Sequence, residues 1–445
     1  MSRTSKALGL PPLLLVAGYF LLALAPVGLA AMQARPSRGL SADFSSGIAM
    51  SALALLLAQF LTSGRFERTT GRVGIDLTMR AHQLAARLIL LLLLAHPVLA
   101  SAGGGTRAMP STLATLVVNP SMLTGVASWI LLLALTASAI WRDRLPFRYE
   151  AWRVLHGFGA WVIAALGVHH AVNVGQHNDR VMLTFWLVLL ATATLALATV
   201  YVFTPLLQLR RPWRIASIQT VGDRLWELAL EPAAAFPVRL EAGQFFWLTL
   251  ARSPFRITEH PFSAASCPAD LPRLTFLIKE SGDFTGRLGL LPINARAYVD
   301  GPRGIFTLRG HEEAKGYAFV AGGVGVAPIL GILRHLRAVR DRRPVRLLFG
   351  NRHVGQIVYR AELDALPREL DCAVQYVLSE PPSEWHGNRG VIDRSLLESV
   401  FQAPDRAEWV YFVCGPAPMM DLVERELMHM GVPARNIVTE RFRYH

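Results

Sequence analysis

Six long apolar runs precede Pro205, and no other feature of the chain limits its possible folds so strongly. They run from Leu8 to Met32, Ile48 to Thr62, Leu77 to Ala100, Met122 to Trp141, Trp152 to Val174 and Val181 to Phe203. About 20 apolar residues wound as a helix cross the roughly 30 Å hydrocarbon layer of a bilayer, where the backbone must satisfy its own hydrogen bonds. The runs therefore predict a six-helix transmembrane bundle. The second is the shortest and has the least defined limits. The first also reads as a signal peptide, because Arg3 and Lys6 precede it and small residues gather from Leu29 to Ala34. Its length exceeds a usual signal core, which favours a span.

Basic residues orient the bundle. Arg65, Arg68 and Arg72 follow the second run and Arg142, Arg144 and Arg148 the fourth, whereas the other connections hold only Arg35 with Arg38, Arg107, and Arg180. Positive loops stay inside, so these two face the cytoplasm and Leu206 to His445 lies beside them, under the inner membrane. The net charge of +13 does not point to nucleic acid: the only lysines are Lys6, Lys279 and Lys315, the arginines are scattered, and no recognition motif is present. Cys267, Cys372 and Cys414 show neither metal spacing nor a disulfide framework.

Within the bundle, His82 and His96 in the third run and His156 and His170 in the fifth repeat one separation of fourteen residues. At about 100° per residue this is about 40° short of four turns, so each pair shares one helix face, about 21 Å apart along the axis. Two such helices can hold two metals at two depths. Both runs head outward, which sets His82 and His156 at the inner depth and His96 and His170 at the outer. The plain alternative is a hydrogen-bonded core histidine at each position. The repeated spacing argues against it. His169 adjoins His170 but falls about 140° short of alignment with His156 in a regular helix, so geometry favours His170.

Composition changes at LRRPW, Leu209 to Trp213. Beyond it, short strand-like pieces such as Leu225 to Leu230, Phe245 to Leu250 and Leu274 to Lys279, separated by turn residues, predict an antiparallel β-barrel. From Gly316 strands alternate with helices: Ala318 to Ala321, a helix from Pro328, Val345 to Phe349, a helix from Arg360, Ala373 to Leu378, Trp409 to Val413, and a helix from Pro418. That rhythm predicts an α/β parallel-sheet domain. The expected domains are 1–207, 208–312 and 313–445.

The sharpest soluble motif is FVAGGVGVAP, Phe319 to Pro328. A buried strand ends at Ala321, Gly322, Gly323 and Gly325 permit a tight turn, and a helix opening at Pro328 offers free amides to a pyrophosphate. A purely structural turn is the alternative. With it come HPFSAAS (His260 to Ser266), LIKESGDFTGRL (Leu277 to Leu288), DGPRG (Asp300 to Gly304), FGNR (Phe349 to Arg352) and VCGPAPMM (Val413 to Met420). In this order, from Trp213 to His445, they resemble the ferredoxin-reductase type of flavin and nicotinamide module. The resemblance implies that His260, Pro261, Phe262 and Ser263 line the flavin of FAD, and that Lys279, Gly282, Phe284 and Thr285 approach its phosphates or adenine side. Ser263 and Thr285 offer hydroxyls, and the amides around Gly282 can bind anions. Cys414 is small enough to admit the nicotinamide of NADPH or NADH, while Gly415 and Pro416 shape the bend. Phe442, in ERFRYH, resembles the aromatic that stacks on the flavin; Tyr444 competes for that role. Arg352 reads either as a 2′-phosphate contact or as a surface residue, and no acidic residue stands out as a ribose reader.

With the membrane half added, the chain resembles the family of transmembrane NADPH oxidases and ferric reductases. Carrying that likeness are the four histidines, the His96–Pro97 step, the YEAWRVLH run ending on His156, and HPFS. It implies two b-type haems, one between His82 and His156 and one between His96 and His170, whose bis-imidazole ligation suits electron transfer. Electrons would pass from cytoplasmic NAD(P)H through FAD and the haems to a small extracytoplasmic acceptor. Molecular oxygen giving superoxide is expected first, then a ferric or other metal chelate, then a periplasmic protein. Oxidase members often carry a polar residue one turn beyond the outer ligand; Ala100 stands there, which weakens the oxygen assignment. His177 and Arg180 either supply that polarity or belong to a solvated loop. A non-enzymatic membrane protein with a nucleotide-sensing domain is the alternative of another class.

Overall fold

Each apolar run forms one helix in the computed structural model, which describes residues 9–33, 35–66, 69, 71–102 and 120–441. The helices are α1 (Pro12–Met32), α2 (Leu40–Ala58), α3 (Ile75–Ala102), α4 (Pro120–Ile140), α5 (Tyr149–Val174) and α6 (Arg180–Ala198), all long and apolar enough to cross a membrane. Arg3, Lys6, Ala34, Arg68, Arg107, Phe442 and Tyr444 lie outside the described residues. The chain divides into two compact units, Leu8–Thr204 and Pro205–His445.

In the first unit α2 is the packing centre, with Ala52 through Ala58 all buried against neighbouring helices. That placement explains its weak signature. A helix shielded from lipid by its neighbours can carry polar residues, and α2 starts at Leu40, well before the apolar run, in a segment holding Ser41, Asp43, Ser45 and Ser46. Pro97 lies inside α3 and has no amide hydrogen, so the carbonyl of Leu93 loses its helical partner. The indole N–H of Trp129 on α4 donates to that carbonyl at 3.1 Å, satisfying a group that lipid could not. Beyond α6 a π turn (Thr199–Phe203) leads into a short helix, α7 (Thr204–Leu209).

The second unit holds two sheets. Strands β1 (Trp213–Gly222), β2 (Leu225–Pro232), β3 (Phe245–Thr249), β4 (His260–Ser263), β5 (Leu274–Lys279) and β6 (Arg296–Arg303) pair antiparallel in the order β4-β3-β6-β1-β2-β5. A bridge between Ala264 and Phe276 brings the chain after β4 onto β5, so the two ends of that order meet. Next come β7 (Tyr317–Gly322), α8 (Val326–Ala338), β8 (Val345–Asn351), α9 (Arg360–Ala365), β9 (Cys372–Leu378), β10 (Asn388–Arg389), α10 (Arg394–Val400), β11 (Val410–Cys414), α11 (Ala417–His429) and β12 (Ile437–Thr439). These strands are parallel, in the order β10-β9-β8-β7-β11-β12. β7 and β11 are buried throughout, as strands covered on both faces must be.

One core runs from sheet to sheet: Leu225 and Leu277 of the antiparallel sheet cluster with Phe319, Phe349 and the buried face of α8. Polar ties reinforce it. Arg334 on α8 donates to Glu362 at 2.8 and 2.7 Å and to the carbonyl of Ala265 at 2.9 Å, and the Tyr359 hydroxyl donates to Glu227.

Candidate functional site

The four paired histidines lie on α3 and α5. The rings of His82 and His156 have centroids 6.5 Å apart, and the Nδ1 atom of each is buried with no hydrogen-bond partner among the described residues. A nitrogen ligating a metal sits about 2 Å from it, so two imidazoles on opposite sides of one ion have centroids roughly 6 Å apart. The observed separation fits a bis-imidazole site. Trp152 covers His156 with a ring separation of 4.9 Å, and the Gln59 side chain, itself held by the Tyr19 hydroxyl at 2.9 Å, donates to the His82 carbonyl at 3.1 Å.

The outer pair is fixed by partners that no sequence motif announced. His96 Nδ1 lies 2.8 Å from Ser45 Oγ and 3.1 Å from the Ser45 carbonyl, and His170 Nδ1 lies 3.0 Å from the Ser121 carbonyl. A carbonyl only accepts, so both Nδ1 atoms carry the proton and both Nε2 lone pairs are left for a metal. The His170 ring rests on Gly125, where a Cβ would meet Nδ1 at 2.5 Å. His170 is half-buried, whereas the adjacent His169 is exposed and reaches Thr124 Oγ1 at 3.1 Å. The inner pair thus sets two imidazoles facing each other, as an iron porphyrin requires, and hydrogen bonds fix the tautomers of His96 and His170 with Nε2 left to ligate.

In the second unit, β4 presents His260, Pro261, Phe262 and Ser263, and Pro261 is tolerated because β4 is an edge strand. The Phe284 ring sits 4.2 Å from that of His260 and 6.1 Å from that of Phe262. Gly282, at φ +91°, turns the loop after β5, and the Thr285 hydroxyl is buried and accepts the Ser281 amide at 2.6 Å. That hydroxyl holds the loop, so anion binding falls to the backbone more than to Thr285. Lys279 is exposed at the end of β5.

At the carboxyl ends of β7 and β11, the glycines are needed for contact. A Cβ on Gly322 would meet Pro416 Cδ and Met419 Sδ at 2.7 Å, and one on Gly325 would meet the Cys414 carbonyl oxygen at 2.2 Å. Gly415 packs against Gly322 in the same way. The helix opens earlier than the motif suggests: α8 begins at Val326 after a 3₁₀ turn at Gly323–Gly325, so Pro328 is buried in its first turn rather than starting it. Proline is compatible with that position because first-turn amides have no helical acceptor.

Glu440 joins the two halves of this site. It is 3% exposed, accepts the Ser263 hydroxyl at Oε2 (3.3 Å), and its carbonyl lies 3.9 Å from Cys414 Sγ. Gly304 of DGPRG makes room for it, since a Cβ there would meet Oε1 at 2.5 Å. Nothing in the sequence singles out Glu440 except its place two residues before Phe442. Arg352 projects from the end of β8 and its Nε pairs with Glu380 at 3.2 Å.

Comparison with known proteins agrees with this architecture. Residues 48–167 match the family described as ferric reductase like transmembrane component, and residues 319–425 match the oxidoreductase NAD-binding domain. Ferredoxin–NADP reductase B of Sorangium cellulosum is 32% identical over 238 residues, covering 52% of this chain and 96% of that protein. Cytochrome b5 reductase 4 of Danio rerio is 34% identical over 157 residues, 35% of this chain and 30% of that protein. NADH-cytochrome b5 reductase 1 of Laccaria bicolor is 30% identical over 173 residues, 38% of this chain and 56% of that protein, so the chain spans well under two thirds of these last two relatives. A flavohemoglobin structure from Malassezia yamatoensis, with bound FAD and heme, shares the fold at TM-score 0.50 and 17% identity, over 90% of this chain and 99% of that one.

Fold and site define a membrane oxidoreductase with a ferredoxin-reductase-type module for FAD and NAD(P)H. The chain joins a ferric reductase like transmembrane component to an oxidoreductase NAD-binding domain, the combination that the resemblance to the transmembrane NADPH oxidases and ferric reductases implies.

Proposed function

We propose that this enzyme carries electrons from cytoplasmic NAD(P)H across the inner membrane to a small acceptor on the far side. The observation that carries the reading is the pair of His–His sites at two depths of one helical unit, joined in sequence to a nucleotide-binding reductase module. His82 with His156, and His96 with His170, would each hold a b-type haem. Residues 208–312 would bind FAD, through His260, Pro261, Phe262, Ser263, Gly282, Phe284 and Thr285, and residues 313–445 the nucleotide, through Gly322, Gly323, Gly325, Cys414, Gly415 and Pro416. When bound, FAD converts a two-electron donor into one-electron steps, and the haems give single electrons stopping places in the lipid.

The chain's own groups then have defined tasks. The glycine turns of β7 and β11 let a dinucleotide approach the backbone, and the α8 N-terminus offers amides to its pyrophosphate. Oxidation of NAD(P)H to NAD(P)⁺ releases two electrons and one proton. The Ser263 hydroxyl, hydrogen-bonded to the buried Glu440 carboxylate, is placed to hand that proton to it. Serines 45 and 121 keep the outer imidazoles in the tautomer that ligates through Nε2.

The acceptor we propose is molecular oxygen, reduced to superoxide. A ferric chelate is the second reading, favoured by the outer loops: Arg35 and Arg38 are exposed near His177, which is tied to Gln33 at 3.3 Å, and together they suit an anion. The test is the reduced-minus-oxidised spectrum of purified protein supplied with haem and FAD, followed by dye reduction with and without superoxide dismutase. A b-type signature on NAD(P)H addition is expected. Its absence refutes the route, and dismutase-insensitive reduction that follows ferric chelate replaces oxygen as acceptor.

A further inference from the structure

In the parallel sheet the strand order reverses between β7 and β11, and a dinucleotide lies outside the carboxyl ends of the strands at such a reversal. On one side of the Gly322–Gly325 turn lie the carboxyl ends of β8 and β9, within reach of the adenosine ribose of a dinucleotide whose pyrophosphate sits at that turn. There Arg352 and Glu380 face each other. Arg352 Nε lies 3.2 Å from Glu380 Oε1, and the Glu380 amide donates to the Arg352 carbonyl at 2.9 Å. His353 Nδ1 lies 3.7 Å from Glu380 Oε2. Beside them the Asn351 side chain is 9% exposed, and neither its Nδ2 nor its Oδ1 has a partner among the described residues.

We propose that the Arg352–Glu380 pair makes the nucleotide site selective for NADH over NADPH, with Glu380 accepting the ribose 2′-hydroxyl and Arg352 withheld from a 2′-phosphate. This rests on the hydride route proposed above and names the donor it uses. An acidic side chain at the strand end reads a ribose diol, whereas a free arginine accommodates a phosphate. Here the arginine is already neutralised, and a phosphate dianion placed on it would stand beside a carboxylate. Other nearby cations are committed as well. Arg389 Nη2 donates to the carbonyls of Pro382, Ser383 and Trp385 at 3.3, 2.9 and 2.7 Å. Arg360 pairs with Asp364 at 3.5 Å and lies over the Tyr376 and Trp385 rings. None of the three lysines of the chain lies on these strand ends. The unpartnered amide of Asn351 offers a donor and an acceptor, the complement of a neutral hydroxyl rather than of a dianion.

The experiment uses the full-length FAD-loaded protein with ferricyanide as acceptor, so that flavin reduction is read without the haems. kcat/KM is measured for NADH and NADPH in wild type, Glu380→Gln, Arg352→Ala and the double variant, with flavin content as the folding control. Wild type is expected to favour NADH by about tenfold or more, and Glu380→Gln to narrow that ratio by about tenfold through a lower KM for NADPH. Arg352→Ala in that background should abolish the gain, because the freed guanidinium is what binds the phosphate. A wild-type preference for NADPH, or a ratio unmoved by Glu380→Gln, overturns the selectivity. Failure of both nucleotides to bleach the flavin overturns the hydride route beneath it.

Discussion

At the scale of single residues, the outer histidines depend on neighbours that have no chemistry of their own. Gly125→Leu drives a side chain into the His170 ring, so the haem-to-protein ratio should fall by about half while the inner site keeps its spectrum; an unchanged ratio would detach Gly125 from haem binding. Glu440→Gln keeps the shape of the Ser263 contact but removes the charge that draws a proton. NADH-driven flavin reduction followed by reoxidation should then slow in the reoxidation half by roughly 100-fold, the lower range for a lost acid–base group, as stopped-flow absorbance would show. The histidines were legible because their spacing repeats. Ser45, Ser121, Gly125 and Glu440 were not, since serine, glycine and glutamate occur everywhere and only the folded chain brings them to the ring or crevice they serve. Glu380 gave no signal for the same reason: it and Arg352, which follow β9 and β8, meet only in the folded chain.

Among the elements, α8 couples the two sheets of the reductase module. A Cβ on its Gly331 would meet the carbonyls of Ser266 and Ala264 at 2.8 and 3.0 Å, and its fully buried Ile332 abuts Gly243. Ile332→Ala should destabilise the module by about 2–5 kcal/mol, the usual cost of such a core truncation, and lower its urea midpoint; a midpoint equal to wild type would show that this contact carries no coupling. Elements were read best where one period dominated. The run from Leu274 to Lys279 appears as β5 with those bounds, and the strand–turn–helix around Gly322 is present, displaced only at the helix start. α2 was read short because hydropathy reports contact with lipid, and this helix contacts other helices instead.

For the whole molecule, stability should depend on pH through two half-buried histidines of the reductase module. His311, edge-on to Phe412 at 6.1 Å, and His335 on α8 are both held below their ordinary range, chiefly by burial, which disfavours the charged ring. The unfolded chain takes up protons near pH 6.5 that the folded chain resists, so stability is full above about pH 6.5 and falls on acidification below it. Thermal release of FAD should shift to lower temperature from neutral pH to about pH 5.5, and His311→Asn with His335→Asn should flatten that slope. An equal slope in the double variant would assign it to other groups.

The claim that two imidazole pairs conduct electrons across a bilayer is met most directly in sealed proteoliposomes holding ferricyanide inside, with NADH added only outside. Molecules whose reductase module faces outward should reduce the trapped ferricyanide, and His96→Ala should stop this while still reducing ferricyanide added outside. Trapped ferricyanide left oxidised by wild type, or reduced equally well by the His96 variant, would contradict the account.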